Sequence, residues 1–95
     1  MMMAEAAPPA EAFAALIADD NLRRVWHFNA AEQENPNMNF GWSFYDTRDI
    51  FADENTLSII EPGEVYFVLV DQAQSDVTLG SRTRNLVARW NLVIW

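Results

Sequence analysis

The sequence predicts an α+β fold, an antiparallel sheet of four to five strands with one N-terminal helix packed on a face. Three observations predict it. Val65 to Val70 is an unbroken apolar run of β-branched and aromatic residues, opened by Pro62-Gly63 and closed by Asp71. Such a run reads as a strand covered on both faces. Residues 22–29, 40–46 and 86–95 alternate with period two, as half-buried strands do. Phe13, Leu16 and Ile17 recur at i, i+3 and i+4, the spacing of an amphipathic helix.

Taken in order, residues 1–8 are Ala- and Pro-rich and read as a flexible tail, with 9–95 as a single domain. Pro9 suits a first helical turn, and Glu11 suits the macrodipole there, so a helix is expected over about 9–19. In 22–29, Leu22, Arg24, Trp26 and Phe28 share one face, while Arg23, Val25, His27 and Asn29 share the other. The polar stretch 30–39, with Pro36, is a loop. In 40–46, Phe40, Trp42 and Phe44 form one face, and a hairpin with the preceding strand would set them beside Trp26 and Phe28. Residues 46–55 read as a turn or single helical turn, and 56–60 as a short strand. Pro62 and Gly63 sit at the central positions of a type II turn. Residues 72–84 are a polar connection with a brief strand at 77–79. In the last strand Leu86, Ala88, Trp90, Leu92 and Ile94 line one face, and Val87, Arg89, Asn91, Val93 and Trp95 the other.

Charge is the sharper clue. Fourteen acids oppose six basic residues, all arginine, for a net −8 and a pI near 4.3. The charge is uneven: −4 over residues 1–20, +2 over 21–29, −7 over 30–64 and +1 over 65–95. Strong negative charge aids solubility and speeds encounter with basic surfaces. There is no cysteine, so disulfides and thiolate metal sites are excluded. No apolar run approaches the ~20 residues that span a bilayer. The opening MMMAEAAPPAEAF lacks a positive n-region and an apolar h-region. The expectation is a cytoplasmic protein with no membrane partner.

Residues capable of chemistry are few. His27 is the single histidine, so no His-rich metal site is possible, and it is expected on the exposed side of its strand. Ser43 could be imagined beside it, but the glycine pattern of a nucleophile elbow is missing. Asp46, Asp49 and Asp53 fall at i, i+3, i+7 with Glu54 adjacent, and clustered carboxylates can hold Mg²⁺ or Ca²⁺. The stretch lacks the ligand order and central glycine of an EF-hand, so no metal and no cofactor are expected. Trp26, Phe28, Phe40, Trp42 and Phe44 are rings of the kind that stack on single-stranded nucleic acid. A phosphate binder needs a basic groove, so these rings are read as core and no direct nucleic-acid contact is expected.

Two surfaces remain. Glu32, Glu34, Asp46, Asp49, Asp53, Glu54, Glu61 and Glu64 form an acidic belt relieved only by Arg48. Val87, Val93 and Trp95 form the second face of the last strand, available for self-association, a homodimer included. In size, acidity and lack of catalytic motifs the chain resembles small acidic phage-encoded inhibitors, among them anti-CRISPR proteins that imitate DNA. That resemblance implies a non-enzymatic inhibitor whose belt occupies the basic, nucleic-acid-binding surface of a larger protein. The alternatives are an assembly subunit joined through its C-terminal strand, and a small carboxylate metal-dependent module.

Overall fold

The structure, a computed structural model, describes residues 6–80 and 82–95. It is α+β, with a four-stranded antiparallel sheet, a separate two-stranded sheet and short helices. The strands are β1 (Leu22–Phe28), β2 (Trp42–Asp46), β3 (Val65–Val70), β4 (Gln74–Leu79), β5 (Arg82–Leu86) and β6 (Arg89–Ile94). The main sheet runs β2-β1-β3-β6, and β4 pairs only with β5.

The strand β3 sits inside the sheet, between β1 and β6. The expectation that it is covered on both faces is corrected. Tyr66, Val68 and Val70 are buried, whereas Val65 and Phe67 are exposed. The covered face joins Val25, Val93 and Trp95 to Phe13, Leu16, Leu57 and Ile60, and to Val77, Leu79 and Leu86 of the β4–β5 hairpin. Sheet and cover stand about 10 Å apart, so the molecule's 20 Å thickness leaves room for two layers and not three.

The expected helix over 9–19 is broken in two, α1 (Pro9–Ala12) and α2 (Ala14–Ala18), at Phe13 with φ −108°. Phe13 and Leu16 are fully buried, and the Phe13 ring tilts against Trp95 at 5.3 Å. Of the proposed tail, residues 1–5 lie outside the described residues. Ala7, however, forms an antiparallel bridge with Ile60, and that bridge is all that remains of the strand expected at 56–60. The strand expected at 40–46 begins only at Trp42, because Asn39, Phe40 and Gly41 all take positive φ. Gly41 is required there: at φ +91° an added Cβ would lie 2.3 Å from the Asn29 carbonyl oxygen.

The strand expected over 86–95 is two strands. The chain leaves the hairpin after Leu86, bends at 87–88, and enters the main sheet at Arg89 with φ +81°. The bend changes the face on which alternate residues lie, so Leu86 and Val93 both reach the core. A bulge acts similarly in β1. Leu22 pairs with Val70 and Arg24 with Leu69, so one extra residue sits between them and turns Leu22 inward, away from the face of Trp26.

Candidate functional site

The registers of the four strands set twelve side chains on the face opposite the core, in three rows of four. Asp46, Arg24, Leu69 and Trp90 form the first row; Phe44, Trp26, Phe67 and Leu92 the second; Trp42, Phe28, Val65 and Ile94 the third. Ten of the twelve are apolar, and among the described residues no second layer lies over them. Trp90 is 48% exposed, Leu92 64% and Ile94 52%. The aromatic set read as core from sequence is therefore this open face. The hairpin pairs Trp26 with Phe44 and Phe28 with Trp42 as expected, but on the side of the sheet away from the core.

The rings pack on one another. Trp42 is edge-on to Trp26 at 5.8 Å, tilted over Phe28 at 4.9 Å and 6.0 Å from Phe67, while Trp26 lies 5.1 Å from Phe44. Such pairs prefer these offset and edge-to-face arrangements, so the raft holds its shape without a cover. Phe40 joins Trp26, Trp42, Phe67 and Trp90 in lining an open cleft of about 470 Å³, with Asn39 the polar residue in its lining.

At one end of this face stands Asp46. Its side chain is 1% exposed, accepting from Arg24 Nε at 2.8 Å and from Arg48 Nε and Nη2 at 3.0 Å, with the Arg48 amide at 2.9 Å. Burial pushes its carboxyl up, but the hydrogen bonds from Arg48 and Arg24 outweigh that and hold it at about 2. The same bond raises Arg48. Arg24 in turn lies over Phe44 at 4.4 Å and Trp26 at 5.3 Å, a cation–π placement that ties the ion pair to the raft. As a partner-facing carboxylate Asp46 is thus corrected: it is a structural anion neutralised by the chain's own arginines.

The rest of the belt divides. Asp53 and Glu54 are exposed beyond the end of β2, and the side chain of Asp49 lies outside what is described. Glu61 and Glu64 flank the turn into β3, at the opposite end of the sheet. Glu61 and Glu64 line one cleft with His27, Ser43 and Thr56, and Glu32 lines a second cleft with the same three residues. His27 Nε2 lies 3.3 Å from Glu64 Oε1, and its ring tilts over Tyr66 at 5.1 Å. Tyr66 hydroxyl accepts from the Glu61 amide at 2.8 Å. Burial first, and then the Glu64 and Glu61 carboxylates, raise its pKa, while that amide bond opposes them. Ser43 stands opposite His27 in register, yet no hydrogen bond joins them, and that bond is where nucleophile activation starts.

The self-association residues are also redistributed. Val87 is 63% exposed, but Val93 and Trp95 are buried. Trp95 packs tilted against Phe13 and under Arg84, and Gly80 leaves room for its indole. The 87–88 bend reverses the faces, so the exposed apolar residues of β6 are Trp90, Leu92 and Ile94. Among the described residues no three His, Asp or Glu side chains are grouped to hold a metal ion. None of the described helices is long and apolar enough to cross a membrane. Comparison with protein-family models, curated proteins and solved structures returns no match.

Proposed function

We propose that the chain is a non-enzymatic protein-binding module whose contact surface is the open sheet face. The carboxylates at the sheet ends steer it towards a larger, basic partner. One observation carries this reading: ten apolar residues occupy the twelve outward positions of the sheet, six of them exposed, with no second layer over them among the described residues. Large exposed apolar patches on soluble proteins mark contact sites. Trp and Phe on a rigid sheet are the residues that serve as binding hot spots, because little side-chain entropy is lost when they are covered.

The acids add direction. Among the described residues no ion pair to arginine is made by Glu32, Glu34, Glu61, Glu64, Asp53 or Glu54, while Arg23 is occupied by Asp20 and Asp71. Inhibition by imitation of a nucleic-acid backbone keeps Glu32, Glu34, Glu61 and Glu64 as its phosphate-like groups and loses Asp46. The test is a titration with a basic amphipathic Leu/Arg peptide, followed by tryptophan emission. Binding should disappear in Phe67→Glu and weaken with salt, since exposed charges are screened beyond about 10 Å at 0.1 M. Binding that ignores both the substitution and the salt refutes the reading.

A further inference from the structure

We infer that the open face is an interface between two copies of this chain, which pack sheet against sheet across it. This rests on reading that face as a protein-binding surface, and it names the occupant.

Area is the first argument. The exposed fractions of Phe40, Trp42, Val65, Phe67, Trp90, Leu92 and Ile94, applied to residue areas of roughly 150–250 Å², give roughly 700 Å² of open apolar surface. A typical monomer's largest patch is about 300–600 Å². A standard interface takes about 800 Å² from each partner. The face is oversized for a monomer and sized for a dimer.

Charge is the second. The charged residues of the grid, Arg24 and Asp46, sit in its first row and are bound to each other, with Arg48 on the same carboxylate, so the two rows of Phe44 and Trp42 hold no charged residue. The −8 resides elsewhere, chiefly in loops and turns at the sheet ends. Two uncharged rows offer a second copy no local repulsion, while the acids that would steer a cationic partner lie outside them, at the sheet ends. The third argument is shape. A two-fold axis along the strands lays β6 of one copy over β2 of the other, setting the aliphatic row Leu92 and Ile94 on the raft of Trp42 and Phe44. Two such faces stack about 10 Å apart as a β-sandwich, and the pairing closes on itself. Glu61 and Glu64 stay outside the contact, so the dimer presents both acidic ends twice.

Sedimentation velocity from about 1 to 200 µM, at about 0.05 and 0.5 M salt, tests this. The wild type should shift from monomer to dimer with rising concentration, with tryptophan emission moving to shorter wavelength as Trp26, Trp42 and Trp90 are covered. Because the copies repel at long range, the dimer should tighten with salt, opposite to a basic partner. Leu92→Glu, with Ile94→Lys as a second variant, should remain monomeric throughout while keeping the wild-type circular dichroism and urea midpoint. Val87→Glu, exposed but off the grid, should dimerise like wild type. A wild type that stays monomeric at about 200 µM overturns the second copy. If the Leu/Arg peptide still binds it and fails to bind Leu92→Glu, the protein-binding reading survives alone. Association that persists in both grid variants overturns the two together.

Discussion

Replacing Asp46 by asparagine separates structural charge from surface charge. In the fold its carboxyl is held at about 2 against an ordinary 3.8, and each unit is worth about 1.4 kcal/mol, so the ionised form contributes about 2 kcal/mol. The folded pKa is the depressed one, so this stability is fully present above pH 3.8 and lost as pH falls through about 2. The Asp46→Asn side chain keeps the shape but removes the charge. Arg48, at the surface, can turn to water, while Arg24 stays over Phe44 and Trp26. The expected cost is therefore about 2–3 kcal/mol at pH 7, below the roughly 3–5 of a pair broken in the deep interior. Urea unfolding of both proteins at pH 7, 3 and 2 checks it. The difference should fall to about half at pH 3 and further at pH 2. A difference independent of pH, or absent at pH 7, refutes the assignment of Asp46 as a buried anion.

Other outcomes follow from the same geometry. Trp95→Ala removes an indole packed on Phe13 and over Gly80 and should cost about 3–5 kcal/mol in urea unfolding, with the monomer–dimer balance of the folded fraction unchanged. Gly41→Ala forces a Cβ against the Asn29 carbonyl at positive φ and should cost more than about 1 kcal/mol, measured the same way. The pKa of Tyr66 is raised, so its contribution is present below pH 10.0 and lost as pH rises through the folded value. Tyr66→Phe should therefore make unfolding less steep in that alkaline range, as read by thermal melts. Glu61→Arg with Glu64→Arg should leave stability within about 0.5 kcal/mol per substitution and cut the salt-dependent part of peptide binding.

The strands were legible because period-two alternation is local, and the sheet uses it in β1, β2 and β6. Which face of each strand becomes core was not legible. In Val65 to Val70 both faces are apolar, and what decides the matter is the distant cover, Phe13, Leu16, Leu57, Ile60 and the β4–β5 hairpin, which joins Tyr66 and Val68 in the core. Parity also failed where the backbone inserts a step, at Arg23 in β1 and at 87–88 before β6, and no residue type announces either one. Asp46 was within reach. A hairpin register that sets Trp26 beside Phe44 also sets Arg24 beside Asp46 two residues further on, and that pairing is what takes the acid off the surface. Acidity itself was visible, but its division between the two ends of the sheet depends on β3 running antiparallel to β1.

The bend at 87–88 makes β5, part of the layer that hides the core, continuous with β6, the outermost strand of the exposed grid. The hairpin therefore cannot lift away without pulling on the sheet's rim. Whatever grips Leu92 and Ile94 from outside also clamps the lid behind them, so occupancy of one side of the molecule should slow hydrogen exchange on the other.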